Sequence, residues 1–242
     1  MNTLPGAAAR LLGAPCTAQE RLEKQETRVQ DGWGAAMLYR VVPPGNLAGP
    51  EACHLELIAD RSAPFMEGNH LFCSIAAGDE ARAPDGGRPV TISTHVPLSK
   101  LRAMPPEKQG EYMQMVQDRM RATLAALAPE LEGCTLEMPG SPRTFERFTL
   151  RENGAVGGVP RRAGLTNYEG LFDGTIAPNA WLVGDSVFPG QSTLATAVGG
   201  RRVAERIARA LGGAISRGDS PGISGTNTSS AGRPPGASAK SV

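Results

Sequence analysis

Residues 181 to 211 read WLVGDSVFPGQSTLATAVGGRRVAERIARAL, an apolar run that stops at Gly184-Asp185, turns through Phe188-Pro189-Gly190 and restarts at helix length. No other stretch limits the fold so tightly. A buried strand, a tight turn and a helix account for the order, because Pro and Gly set the turn and Ser192 or Thr193 can cap the helix. In α/β proteins a ligand binds where a strand's carboxyl end meets the next helix. The first helical turn there offers free N–H groups and a partial positive charge, suited to an anion or an electron-rich carbonyl. From Ser192 to Gly200 there is no charge, whereas Arg201, Arg202, Glu205, Arg206 and Arg209 crowd around Ala204, Ile207, Ala208 and Leu211. The front half of the helix is therefore expected inside the protein and the back half at its surface. Gly199-Gly200 weakens a helix interior and predicts close approach of a backbone or a flat ring. Asp185 ends a buried strand and needs hydrogen-bond donors, which ligand hydroxyls would supply. A strand-turn-helix unit with no ligand is the competing account.

Two other chemistries use similar residues. Gly184-Asp185-Ser186 is also a nucleophile motif of one esterase group, but the attacking Ser186 would need a histidine base, and no histidine follows His95. A phosphate-binding loop requires G-x-x-x-x-G-K-[ST]; Gly184 to Ser192 has neither the spacing nor a lysine. His70-x-x-Cys73 and Cys53-His54 raise a metal, but adjacent strand residues point to opposite faces, so no metal site is expected.

Upstream, WGAAMLYRVV at 33 to 42 puts Trp33, Ala35, Met37, Tyr39 and Val41 on one face and Ala36, Leu38 and Val42 on the other. A strand apolar on both sides should be covered twice. CHLELIAD (53 to 60), LFCSIAA (71 to 77) and PVTISTHV (89 to 96) follow at strand length, separated by Gly, Pro and Asp-Gly punctuation. Consecutive strands on short connections predict an antiparallel sheet, with Thr91, Ser93 and His95 facing water. Pro105-Pro106 opens a helix in which Met113, Val116, Met120, Leu124 and Leu127 form one stripe, to be laid on the sheet and closed by Pro129. CTLEMP (134 to 139) reads as a short strand, and Arg143 and Arg147 would share one helix face, solvated, paired with a carboxylate or gating a substrate.

The 242 residues allow one large domain or two small ones. With 25 basic and 24 acidic residues the net charge is +1, and no basic stripe tracks a phosphate backbone, which argues against nucleic acid. No apolar run reaches the roughly 18 to 20 residues that span a bilayer. That reads as a cytoplasmic protein, with peripheral contact to a membrane surface left open. Cys16, Cys53, Cys73 and Cys134 form no CxxC and read as reduced core residues.

WLVGDSVFPGQSTLATAVGGRRVAERI resembles the carboxy-terminal flavin-binding motif of the carotenoid isomerase and carotenoid desaturase group of FAD-dependent oxidoreductases, related to phytoene desaturase. SPRTFERFTLRENGAVGG and GWGAAMLYRVV are similar to other segments of that group, in the same order, so the resemblance covers roughly residues 1 to 211. It implies FAD as cofactor, an apolar polyene as substrate, and desaturation or isomerisation as the reaction. Carried over residue by residue, Gly184, Asp185, Gly190, Gln191, Ser192 and Thr193 would contact FAD, Asp185 through the ribityl hydroxyls. Family members commonly have glycine where this chain has Ser192. Met37, Tyr39 and Phe188 are candidate residues of the substrate tunnel, and Gly154, Gly157 and Gly158 could admit flavin or polyene closely. No acid-base pair stands out, and no catalytic residue is named.

The group opens with a strand and G-x-G-x-x-G for the ADP pyrophosphate, which is absent from these 242 residues. The resemblance thus implies the carboxy-terminal half of such an enzyme: an α+β chain with a largely antiparallel substrate-domain sheet, packed helices and a final strand-helix unit completing an α/β FAD domain. Residues 1–30 read as a residual FAD-domain segment, 31–150 as substrate domain, 151–211 as the flavin-contacting segment and 212–242 as a disordered Gly/Ser/Pro-rich tail. A separate chain carrying the amino-terminal FAD domain would be the partner. The alternative is a non-catalytic fragment or apolar-ligand-binding module that cannot hold FAD alone.

Overall fold

The structure is a computed structural model and describes residues 1–13, 18–80, 82–160 and 173–212. The tail beyond Gly212 and Cys16 lie outside them. The chain is mixed α+β. Helices α1 (Pro5–Leu12) and α2 (Gln19–Gln30) lead into strand β1 (Trp33–Val42), followed by β2 (Cys53–Ile58), β3 (His70–Ile75) and β4 (Arg88–Pro97). Helices α3 (Leu98–Ala103) and α4 (Pro106–Leu127), strand β5 (Leu136–Gly140) and helix α5 (Pro142–Thr149) come next. The short strands β6 (Thr175–Ala177) and β7 (Ala180–Trp181) precede helix α6 (Thr193–Ala210).

The first five strands form one antiparallel sheet in the order β2-β3-β4-β1-β5. Alternation along β1 and β4 explains the register, since Leu38 faces Ile92 and Ala36 faces Thr94, so the apolar positions of both strands share a side. That side is covered by α4. Leu38, Leu71, Cys73, Ile92 and Val96 pack with Val116, Met120 and Leu124 in one core, where each fully buried large apolar side chain contributes roughly 1.5–3 kcal/mol. Pro106 occupies the first helical position, as expected, but Leu127 leaves the stripe and is exposed, while Tyr112, Gln117 and Thr123 are buried instead. Leu124 and the following Ala128 and Leu131 stay in the sheet's core, so the stripe closes without Leu127, and Gln117 stays in because its amide donates to the Gly140 carbonyl at 3.0 Å.

The second face of β1 departs from the expectation of full cover. Ala35 and Met37 are buried, yet Tyr39 and Val41 are only half-buried. Pro142, at the start of α5, sits so close to Gly34 that a Cβ there would lie 2.7 Å from its ring. Gly34 shares its side with Ala36 and Leu38, so α5 starts on the α4 side of the sheet, and the second face of β1 is left open beyond Met37. Tyr39 pairs with Met138 and Val41 with Leu136 across the β1/β5 register, and both β5 side chains are exposed. Thr91, Ser93 and His95 sit on this same open side, as expected.

A second core joins α1 and α2 to the closing segment through Ala8, Leu22, Ile176, Leu182 and Val187. A third, of Leu4, Val29, Leu98 and Ala155, lies between it and the sheet. The sequence pattern did not single out α1, α2 or α3. The expected buried strand over AWLVGDS is also cut down to the two residues of β7. A strand lasts only as far as neighbouring backbone can pair with it; here β6 supplies three residues, and beyond them Val183 bridges Asn2, its N–H donating to the Met1 carbonyl at 2.8 Å. Leu182 is nonetheless fully buried. Cys73 is a core residue whose thiol is pushed up to about 11 by burial, but Cys53 is exposed at the sheet edge. No described helix is long and apolar enough to cross a membrane.

Candidate functional site

Three segments meet at the turn between β7 and α6. Helix α5 begins with a reciprocal cap between Ser141 and Thr144 and ends at Leu150 in the left-handed region, φ 57°. That reversal delivers Arg151 to the turn. Its Nη1 donates to Asp185 Oδ2 at 2.7 Å and its Nη2 to Oδ1 at 3.1 Å, a bidentate, partly buried pair. The donors that Asp185 requires thus come from the chain itself, where ligand hydroxyls were expected to provide them. Arg151 was missed in the sequence because nothing local marks it; the available signal was a cation just before the Gly154-Gly158 run, complementary to the carboxylate that ends the apolar run.

The glycine run then lies against the turn. Gly157 and Gly158 both have positive φ, and a Cβ on Gly158 would meet the Asp185 carbonyl carbon and the Ser186 nitrogen at 2.7 Å. On Gly157 it would meet Gln191 Nε2 at 2.8 Å. A Cβ on Gly154 would be tighter still, 2.0 Å from the Pro142 carbonyl oxygen. Their close approach is thus to the chain's own backbone and to Gln191. Gly184 (φ 113°) and Gly190 (φ 97°) frame the turn, with the Val187 N–H donating to the Gly184 carbonyl at 3.2 Å.

Three buried polar atoms in this cluster have no partner: Arg151 Nε, Ser186 Oγ and Gln191 Nε2. All three can donate. Buried donors without acceptors are uncommon in native interiors and call for a reason. Ser186 has no histidine to activate it: His54 stacks on Phe72 and His70 on Phe65, His95 lies tilted against Trp33, and all three imidazoles are on the open face of the sheet. His70 and Cys73 fall on opposite faces, and among the described residues no group of three potential ligands could hold a metal.

Ser192 is the residue before α6, and its hydroxyl accepts from the Ala195 N–H at 3.2 Å. Thr193 begins the helix, its N–H and that of Leu194 lacking intrahelical partners as at any helix start. The front of α6 is not inside the protein: Ser192 and Thr193 are exposed, Leu194 is 75% exposed, and only Gly199 and Val203 are buried. The absence of charge misled because it reports what a face could tolerate, not what covers it. A Cβ on Gly199 would meet the Pro189 ring at an ordinary 3.6 Å, and one on Gly200 would face open space. Phe188, 39% exposed, lies under the Arg202 guanidinium at 5.4 Å.

The structure brings Gly184, Asp185, Gly190, Gln191, Ser192 and Thr193 together on one turn, with Phe188 among them, and puts Met37 and Tyr39 elsewhere, on the open sheet face. Burial raises the Tyr39 phenol above its ordinary pKa, so it stays neutral. Arg143 and Arg147 do share a helical segment, lining an open groove of about 580 Å³ with Thr144, Glu146 and Phe148. A smaller cavity of about 290 Å³ lies between Arg143, Pro142, Leu101 and Met113.

No protein-family profile matches the chain. Among curated proteins it is similar to the chloroplastic prolycopene isomerase of Arabidopsis thaliana, 29% identical over 201 residues, which is 80% of this chain and 34% of that protein. Prolycopene isomerase 2 of an Oncidium hybrid cultivar is 31% identical over 66% of this chain and 28% of its own length. The Daucus carota prolycopene isomerase is 29% identical over 71% of the chain and 28% of its own length. The chain spans about a third of the length of the curated relatives it matches. It is a relative of the carotenoid isomerase and carotenoid desaturase family.

Proposed function

We propose that the chain forms the substrate sheet and the flavin-contacting turn of an FAD-dependent oxidoreductase acting on a carotenoid or similar apolar polyene by desaturation or isomerisation. One observation carries the reading: the turn at Asp185 holds three buried donors with no acceptor, on Arg151, Ser186 and Gln191. The residues fit a flavin on chemical grounds. Its ribityl hydroxyls can donate to Asp185, whose two oxygens each bond Arg151 once and keep further lone pairs, and its ring and ribityl oxygens can accept from the unpartnered donors.

When bound, FAD supplies the hydride chemistry or, reduced, the electron density that assists double-bond isomerisation. The protein's part is positioning and exclusion of water. Gly184 and Gly190 shape the turn, Gln191, Ser192 and Thr193 present polar groups and backbone N–H toward the ring's pyrimidine end, and the dipole of α6 stabilises negative charge there. Tyr39, with the exposed Leu136 and Met138, offers an apolar wall to a polyene, with Met37 buried at its edge and Phe188 apart from it at the turn. No side chain is assigned a proton transfer. The membrane-resident character of such a substrate supports peripheral contact with a bilayer, and a partner chain with an ADP-binding segment would supply the rest of the dinucleotide site.

A second reading rests on the missing G-x-G-x-x-G in these 242 residues: a non-catalytic module that holds an apolar ligand on the open sheet face. Absorbance of the purified chain between about 350 and 500 nm separates the two. Stoichiometric flavin bands are expected on the first reading; their absence in the presence of added FAD rejects it for this chain and leaves the module.

A further inference from the structure

We infer that Arg151 is a positioning residue of this site: its two-point grip sets the Asp185 carboxylate at the angle a flavin's ribityl chain requires. The inference rests on the flavin reading of the turn. Arg151 and Asp185 are 34 residues apart and bonded through both oxygens at 2.7 and 3.1 Å. A planar fork on a planar carboxylate fixes rotation as well as distance, which a lysine's point charge does not. The strand behind Asp185 cannot do this alone, because β7 ends at Trp181. The loop that carries Arg151 is itself held, by the left-handed Leu150 and Asn153 and by Gly154 against the Pro142 carbonyl.

The exposed donors of a partly buried arginine such as Arg151 can bond to solvent, whereas a donor that is itself buried needs an acceptor. Here the Nε–H is buried without an acceptor, and the same holds for Ser186 Oγ and Gln191 Nε2 on either side of the turn. A ligand oxygen seated against Asp185 would give these donors their acceptor, so that Arg151 would orient the carboxylate through its tip and meet the ligand through its Nε–H.

The test compares the full chain with Arg151→Gln, Arg151→Lys and Asp185→Asn, titrating FAD and riboflavin separately by flavin fluorescence and recording each unfolding midpoint. Riboflavin carries the ribityl chain and ring without the ADP half. Arg151→Gln is expected to weaken both ligands about tenfold or more at temperatures well below its midpoint, as loss of one charge-assisted hydrogen-bond arrangement implies. Arg151→Lys, which keeps the charge and the folded turn, is expected to recover part of the loss. Wild-type affinity in Arg151→Gln, with affinity lost in Asp185→Asn, overturns the role of Arg151 and leaves the flavin site standing. Wild-type binding by Arg151→Lys, which would show that a point charge suffices, or a loss that only follows the midpoint, also overturns it. If no form binds either flavin, the underlying reading falls and the inference falls with it.

Discussion

Ser192 combines two opposed effects in one residue. Its hydroxyl caps α6 through Ala195, while its backbone sits at φ 91°, ψ 153°, a region that glycine alone adopts freely and that holds other residues at roughly 1–3 kcal/mol of strain. Replacing a Ser cap by Gly loses only a few tenths of a kcal/mol. Strain wins, so Ser192→Gly is expected to raise stability by about 1 kcal/mol, read as a higher denaturant midpoint at unchanged slope. A lower midpoint would mean the cap dominates. The Asp185 side chain makes the contrary case. Asp185→Ala leaves the partly buried Arg151 guanidinium without its partner and removes the acceptor proposed for the ribityl hydroxyls, so both stability and FAD retention are expected to fall. Unchanged flavin retention on a desalting column would take Asp185 out of the site.

Among the elements, the β1/β5 edge is tied to α4 by charge. Arg40, only 7% exposed, donates to Glu137 at 2.6 Å and to the Leu131 carbonyl at 2.8 Å, and Arg121 of α4 donates to the other Glu137 oxygen at 2.9 and 2.8 Å. Burial alone would raise the Glu137 pKa, but the hydrogen bonds and charges of Arg121 and Arg40 outweigh it and hold the carboxyl below its ordinary value. A carboxylate with a depressed folded pKa stabilises the fold fully above its unfolded pKa, about 4.3, and loses that contribution as pH falls through the lower folded value. Unfolding free energy is therefore expected to drop as pH falls below about 4.3, and Glu137→Gln should flatten that part of the profile while lowering stability near neutrality by about 3 kcal/mol. An acid slope unaltered by the substitution would assign it to other carboxylates.

At the level of the whole molecule, the chain's beginning and its last helix meet through one core. Leu182 and Ile176 pack with Ala8 and Leu22, and the Met1 amino group donates to the Trp181 carbonyl at 2.8 Å. The turn at Asp185 is therefore seated on α1 and α2 as much as on its own strand. Leu182→Ala is expected to lower stability by about 2–5 kcal/mol and to speed amide exchange in both amino-terminal helices, measured by mass spectrometry. Exchange confined to residues near 182 would show that the two ends of the chain are not energetically joined.

The sheet and its main helix were readable from the chain because alternation and the three- and four-residue stripe are local consequences of backbone geometry. Strands β1 to β4, helix α4 behind Pro106 and the Gly-Asp turn before α6 needed nothing else. In α2, Leu22, Gln25 and Val29 are buried at helical spacing, but with two apolar side chains among charged ones the stripe is too thin to stand out. What is decided only in three dimensions is which faces find partners. The uncharged start of α6 lies open, the far side of β1 is half covered, and Asp185 is gripped by an arginine 34 positions earlier. A residue's polarity limits where it can go, but cover and pairing depend on segments brought together by folding. That is why the sequence determined the elements and the location of the turn, whereas the tertiary structure alone decided the company that turn keeps.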